Sequence, residues 1–276
     1  MGNVRHILGL SGGKDSTALA IFMRDQVPDM EYVFTDTQKE LPETYEFLAR
    51  LEGFLGKKIV RLTDDRGFDH WLKVYGGYLP SSRMRWCTRM LKLKPFEKYV
   101  GNDEVINYVG IRADEHREGY ISTKPNITSR FPFKESGITK ADVFRILRDS
   151  GVGIPTYYSW RTRSGCFFCF FQRKEEWAGL LKEHPDLFEA AKSYERVDSE
   201  TGDRYTWSQS ESLEELARPE RLYQIETNAR KRAEDRQKAC LPNTPLVKVL
   251  AEPSSSDSSD DDDLDDDERA CLICEL

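Results

Sequence analysis

Near the N-terminus, Ser11–Ser16 read SGGKDS, between the apolar run RHILGL and the helix-patterned KDSTALAIFMRDQ. Two adjacent glycines let a backbone approach an oxyanion with no Cβ in the way. Ser11 and Ser16 offer hydroxyl donors, and Lys14 offers a point charge. A turn of this kind ahead of a helix turns free N–H groups and the positive end of the helix dipole toward a phosphate. The Walker A pattern is excluded. It needs a glycine five residues before Gly13 and Ser or Thr after the lysine, and Leu8 and Asp15 stand there instead. A tight strand-to-helix turn without a ligand is the plain alternative.

The second chemical signal is in the cysteines. Cys166 and Cys169 form CFFC in a stretch that also holds Arg161, Arg163 and Arg173, and Cys87 lies far upstream in RWCT. A structural zinc site wants a fourth protein ligand, and His70, His116 and His184 have no local ligand spacing. Three thiolates suffice for three irons of a [4Fe–4S] cluster, leaving the fourth iron open. Ordinary buried thiols are the other reading. Cys271 and Cys274 make a second CxxC near the C-terminus, and Cys240 completes the six. In a cytosolic chain the six are expected to be metal-binding, catalytic or inert rather than disulfide-bonded.

These residues need elements to hold them. RHILGL, EYVFTDT, KKIVRL and EVINYVGIR have the pattern of short strands. Between them, KDSTALAIFMRDQ and LPETYEFLARLEGFLG, with Pro42 near its start, have the pattern of helices, and Gly67 to Val100 is a mixed helical and loop region. Such alternation predicts an α/β fold with a doubly wound parallel sheet. Ligands of these sheets bind at the carboxyl ends of the strands, where Ser11, Asp36 and Arg112 fall. After Tyr120 the regularity drops. GITKADVFRILRDSG predicts a helix, with Thr139 and Asp142 at capping-box spacing and Gly151 at its end. Two helices broken at Pro185 follow, then a charged helical stretch interrupted at Pro219. The expected organisation is a catalytic domain over 1–175, a helical region over 176–250 and a disordered acidic tail over 251–276.

The chain has 276 residues, 38% hydrophobic and 32% charged, with a net charge of −7. That composition suits a globular protein with a real core. No apolar run approaches the ~20 residues of a membrane span, and MGNVRHILGL lacks the features of a signal peptide, so the expected location is cytoplasmic. The charge is unevenly divided. From Ala251 onward lie eleven acidic residues and one basic, which puts −10 on the tail and +3 on the rest. Such a tail either solubilises the chain or competes with an anionic substrate for the basic body. The stretch SSRMRWCTRMLKLKPFEK carries six basic residues against Glu97, together with Trp86 and Phe96. It predicts either a nucleic-acid surface, with base stacking on the aromatics, or the solvated side of a helix.

SGGKDS after a strand resembles the motif of the PP-loop superfamily, the adenine-nucleotide α-hydrolases. Three further segments, in matching order, resemble the phosphoadenosine phosphosulfate (PAPS) reductase family: FTDTQKELPETYEFLARLE, VGIRADEHREGY and PTYYSWRTRSGCFFC. Together they cover roughly residues 5 to 175. The resemblance implies that Ser11, Gly12, Gly13, Lys14 and Ser16 hold the pyrophosphate part of ATP while the α-phosphate is attacked. Asp15 then stands as a Mg²⁺-linked group or as a support behind the direct contacts. Asp36 contacts adenosine or a metal, or caps the next helix. Arg112 suits a phosphate or sulfate through its planar fork, unless Glu115 or Glu118 neutralises it as an ion pair. Lys14, Asp15 and Arg112 are the expected catalytic residues, and Cys87, Cys166 and Cys169 the expected metal ligands.

The chain also departs from relatives it resembles. Cluster-bearing adenylyl-sulfate reductases have adjacent cysteines where Trp86-Cys87 stands here, and thioredoxin-dependent PAPS reductases end like ECGLH where this chain has ACLICEL. RWCTRMLKLKP followed by GCFFC is similar to the sulfurtransferases of bacterial DNA phosphorothioation. Three functions are therefore expected to compete. One is an ATP-dependent adenylating sulfurtransferase with an iron–sulfur cluster and a nucleic-acid acceptor, fed by a sulfur donor such as a cysteine desulfurase. Another is a sulfonucleotide reductase working with thioredoxin and releasing sulfite. The last is a nucleotide-binding module without turnover.

Overall fold

The computed structural model describes residues 4–116, 122, 124–197, 202–208 and 210–239. Cys240, Cys271, Cys274, Glu118 and the acidic tail lie outside the described residues. The chain divides into two compact units, one running to Phe171 and the other beginning at Gln172.

The first unit is built on five parallel strands: β1 (Arg5–Leu10), β2 (Glu31–Thr35), β3 (Ile59–Leu62), β4 (Val105–Tyr108) and β5 (Ile127–Arg130), in the order β3-β2-β1-β4-β5. Every pairing is parallel; Leu8 of β1, for example, stands between Tyr32 of β2 and Tyr108 of β4. Side chains alternate across the sheet. Leu8 and Leu10 face a core shared with Ala18 and Leu19 of α1 (Lys14–Met23), Phe47 and Leu51 of α2 (Pro42–Leu55), and Val143 and Leu147 of α7 (Lys140–Asp149). Ile7 and Val33 face the opposite core, with Phe96 and Val100 of α5 (Lys94–Val100). Burying each such side chain contributes about 1.5–3 kcal/mol. The expected doubly wound sheet is present.

Local sequence explains the element ends. Pro42 opens α2 where its missing N–H is not needed, and Gly56 closes it at φ +64°, a left-handed conformation few other residues accept. Thr139 and Asp142 form the capping box expected at the start of α7. The stretch from Gly67 to Val100 holds α3 (Gly67–Val74), α4 (Trp86–Thr88), a π-helical turn (Arg89–Leu93) and α5. Pro95 has no N–H to give to the Leu91 carbonyl, which favours the wider π register just ahead of it. One strand lay hidden after Tyr120. β5 is four residues long with three of them polar, and it is followed by α6 (Pro132–Glu135).

The second unit contains α8 (Lys174–Glu183) and α9 (Pro185–Lys192), broken at Pro185 as expected. It continues through the short antiparallel pair β6 (Arg196–Val197) and β7 (Arg204–Tyr205), α10 (Leu213–Leu216) and α11 (Pro219–Ala239). Its core centres on buried Trp177, which packs against Phe188 and Trp207, and the Trp207 indole N–H donates to the Ala191 carbonyl at 2.9 Å.

Candidate active site

The order of the strands fixes where a ligand can sit. Connections leave β1 toward β2 on one side, and β4 lies on the other, so the carboxyl end of β1 is the point at which the sheet changes direction. The Ser11–Ser16 loop occupies that end, and Asp36 and Gly110 follow the ends of β2 and β4.

The loop is shaped by its own side chains. Ser11 N–H donates to Ser16 Oγ at 3.1 Å, the two hydroxyls lie 3.1 Å apart, and Gly13 N–H donates to Ser11 Oγ at 3.3 Å. Gly12 has φ +73°, and a Cβ there would meet Thr44 Cγ2 at 2.6 Å; one on Gly13 would meet Ser164 Oγ at 2.7 Å. Gly12 is thereby confined to glycine, while at Gly13, which has ordinary extended backbone, the Ser164 hydroxyl would have to turn away. The first-turn N–H groups of α1 have no carbonyl to bond within the helix, and Gly13 brings no side-chain cap. This glycine cradle at a helix start fits a phosphate group.

Charged groups surround it. Lys14 Nζ pairs with Asp15 Oδ2 at 3.0 Å. Burial pulls the Lys14 ammonium down, but Tyr158 and Asp15 outweigh this and leave it above its ordinary value. Arg112, 1% exposed, is gripped by carboxylates: Asp15 at 2.9 Å, Asp114 at 3.0 Å and Glu115 at 2.7 Å. Burial pushes the Asp114 carboxyl up, and Arg112 with the Lys140 N–H more than reverses it. Arg112 thus sits in the ion-pair arrangement, with Glu115 as one partner, and an anion approaching its fork competes with these carboxylates. Asp15 spans two cations, which suits holding Lys14 and Arg112 in place more than binding Mg²⁺. Asp36 accepts from Gln38 N–H at 2.7 Å and Tyr45 Oη at 2.8 Å, and does not cap α2, whose N-cap is Leu41.

Contacts that sequence reasoning missed come from a segment about 145 residues away. Tyr157 Oη donates to the Gly12 carbonyl at 2.8 Å, Lys14 N–H donates to Tyr158 Oη at 3.1 Å, and Ser164 Oγ donates to Ser11 Oγ at 3.1 Å. A single segment, from Tyr157 to Cys169, therefore carries both the clasp on the loop and the cysteine pair.

Arg161, 1% exposed, shapes the cysteine turn by donating to the Gly165 and Cys166 carbonyls at 3.0 and 2.8 Å. Cys169 N–H donates to the Cys166 carbonyl at 3.0 Å, and Phe167 N–H to the Lys39 carbonyl at 2.8 Å. Cys166 Sγ lies 3.1 Å from Thr37 Oγ1 and donates to Glu40 Oε1 at 3.7 Å. Thr37 Oγ1 donates to the same Glu40 oxygen at 2.8 Å. Burial pushes the Cys166 thiol well above the usual thiol range and Glu40 adds to this, while Lys92 pulls the other way. Neither Thr37 nor Glu40 was singled out from sequence.

Cys87 belongs to a neighbouring segment. Trp86 lies 5.0 Å from the ring of Phe68, which lies 4.5 Å from Phe168 inside CFFC. The segments thus adjoin. Even so, among the described residues no three Cys, His, Asp or Glu side chains are gathered to hold a metal ion, and none of the three cysteines forms a disulfide. Cys166 as placed is engaged by Thr37 and Glu40. The aromatics of the basic stretch also need correcting. Trp86 and Phe96 are 3% and 2% exposed, in contact with Phe68 and in the second core respectively, so neither offers a face to a base. Arg83, Arg89, Lys94 and Lys98 are exposed.

A glycine cradle at the start of α1, on a five-stranded parallel sheet, defines an α/β protein of the nucleotide-binding fold type. The phosphoadenosine phosphosulfate reductase domain model matches residues 5–169, and the chain belongs to that family, within the PP-loop superfamily. Its relatives include an uncharacterised protein of Methanocaldococcus jannaschii, 30% identical over 66% of this chain and 40% of its own length. Another from the same organism is 25% identical over 64% of this chain and 44% of its own. The chain therefore spans less than half the length of either. A nin-region protein of Escherichia phage lambda is 29% identical over 66% of this chain and 71% of its own. Similar solved structures include a phosphoadenylyl-sulfate reductase from Candida auris in its phosphate complex, with 14% identity, 60% and 83% coverage and a TM-score of 0.48. The U34-tRNA thiolase NcsA from Methanococcus maripaludis, with its [4Fe–4S] cluster, gives 14%, 70% and 71%, and 0.36. Among the described residues no helix is long and apolar enough to cross a membrane.

Proposed function

We propose that the chain is an adenylating, ATP-dependent sulfurtransferase of the PAPS reductase family. The observation that carries this reading is the glycine cradle at the carboxyl end of β1, with Lys14 held at its rim by Asp15. In the proposed reaction an acceptor oxygen attacks the α-phosphate of ATP. The bond to the bridging oxygen of the β-phosphate breaks, and pyrophosphate leaves with that electron pair. Gly12, Gly13 and Lys14 stabilise the charge developing on pyrophosphate, which lowers the barrier. Sulfide then displaces AMP from the acceptor, its lone pair forming the new bond to sulfur as the bond to the AMP oxygen breaks. A donor-protein persulfide does the same through its terminal sulfur, and a second thiol then cleaves the resulting disulfide to release the thiolated acceptor. Arg112 and Asp15 act through Lys14 by fixing where its ammonium stands.

Magnesium, entering with the nucleotide, supplies phosphate neutralisation. An iron–sulfur cluster on this reading would be held by Cys87, Cys166 and Cys169 and would supply an open iron for sulfide. The nucleic-acid acceptor rests on exposed Arg83, Arg89, Lys94 and Lys98, which suit a phosphate backbone without base stacking.

The test is anaerobic purification with iron and sulfide analysis beside a pyrophosphate-release assay. Pyrophosphate released from ATP, and lost in Lys14→Ala, supports the proposal. Iron that disappears together with activity in Cys87→Ser assigns the three cysteines to a cluster. Sulfite formed from PAPS with thioredoxin by iron-free protein replaces the proposal with a reductase, as the family's name suggests. ATP bound without turnover leaves a nucleotide-binding module.

A further inference from the structure

Two adjacent tyrosines hold the loop in opposite ways. Tyr157, 1% exposed, donates to the Gly12 carbonyl. That hydroxyl is buried with the carbonyl it serves, out of a phosphate's reach, so Tyr157 is a fixed tie. Tyr158 is on the other side of the exchange, since its Oη accepts from Lys14 N–H at 3.1 Å. That N–H opens α1, a helix of ten residues, and belongs to the donors a phosphate oxygen takes at a helix start. The Tyr158 ring also lies beneath the Lys14 ammonium, 5.4 Å from Nζ to the ring centroid.

We propose that the Tyr158 hydroxyl is a built-in competitor for the phosphate group on the Ser11–Ser16 loop, and that it sets the loop's affinity. The inference rests on the nucleotide reading above. A phosphate oxygen on the Lys14 N–H takes the place of Tyr158 Oη, and the exchange favours the anion because charge-assisted hydrogen bonds are the stronger ones. The ammonium keeps its ring contact if only the hydroxyl goes. Tyr158→Phe therefore separates the competing oxygen from the aromatic support.

The experiment is calorimetric titration of pyrophosphate, and of ATP with magnesium, into the full chain and its Tyr158→Phe and Tyr157→Phe variants. Tyr158→Phe is expected to bind about two- to ten-fold more tightly, the worth of one net hydrogen bond. Tyr157→Phe, which loses a tie that no phosphate replaces, should gain nothing. Equal or weaker binding by Tyr158→Phe overturns the proposal. A wild-type chain that binds neither probe overturns the loop reading itself, and the inference falls with it. A second measurement needs no destabilising change: 3-fluorotyrosine at position 158 should shift its ¹⁹F resonance on adding pyrophosphate, more than the same label at 157. A label at 158 that stays fixed at saturating pyrophosphate sinks the proposal independently.

Discussion

Arg112 carries the sharpest consequence at the scale of single residues. Its guanidinium is shared by Asp15, Asp114 and Glu115 in a buried place, so removing it strips three carboxylates of the charge they share. Breaking such a buried network by deleting one member costs about 3–5 kcal/mol. Arg112→Ala should lose stability of that order in urea denaturation, with or without nucleotide. An arginine that only met an exchangeable phosphate would leave the apo midpoint where it was. Gly12 makes a second, independent point. A side chain there faces both φ +73° and the Thr44 methyl at 2.6 Å, and strain of this kind costs about 1–3 kcal/mol. Gly12→Ala should lower the melting temperature, and adding Thr44→Ser, which removes the obstructing methyl, should recover part of the loss. Additive effects in that double-mutant cycle would refute the contact.

The elements show which features can be read from a sequence and which cannot. β1, β2 and β4 stood out because buried parallel strands are short apolar runs between amphipathic helices, and β3, half exposed at the sheet edge, because it continues the same alternation. β5 escaped because Thr128 and Ser129 dilute its pattern, and its place in the sheet depends on pairing with β4. The same limit applied at the site. Ser11–Ser16 is local and could be read directly, whereas Tyr158 meets Lys14 across 144 residues and Cys166 meets Glu40 across 126. No spacing rule reaches that far; only the fold brings PTYYSW onto the loop. Capping, by contrast, is local and open to a clean test. Ser212 and Glu215 form a capping box at α10, and the Ser212 N–H, with Arg204 behind it, holds the Glu215 carboxyl down to about 2 from an ordinary 4.5. A depressed carboxylate stabilises the fold above its ordinary value and loses that contribution as pH falls toward its folded value. Glu215→Gln should therefore melt below wild type at neutral pH, with the gap closing between about pH 4.5 and 2. A gap constant across that range would mean that the charge on Glu215 is irrelevant.

Across the whole molecule, charge is the property that the fold and the tail divide between them. The chain carries −7 in all, yet residues from Ala251 onward contribute −10, leaving +3 on the rest. On that remainder Arg83, Arg89, Lys94 and Lys98 are exposed within sixteen residues, while the aromatics among them are buried. Attraction to a polyanion on such a surface is electrostatic, indifferent to base identity and steeply weakened by salt. Removing residues 251–276 changes the sign of the net charge and takes away eleven acidic residues, which on the competing reading of the tail frees the same cations. The truncated chain should bind a fluorescent single-stranded oligonucleotide roughly ten-fold or more tightly at low salt. The difference should vanish near 1 M, where the screening length falls to about 3 Å. Replacing Arg83, Arg89, Lys94 and Lys98 with glutamine should abolish the gain, because the acidic tail then has no basic surface to compete for. A gain that survives this replacement, or persists in high salt, would place the polyanion elsewhere and make the tail's charge incidental to it.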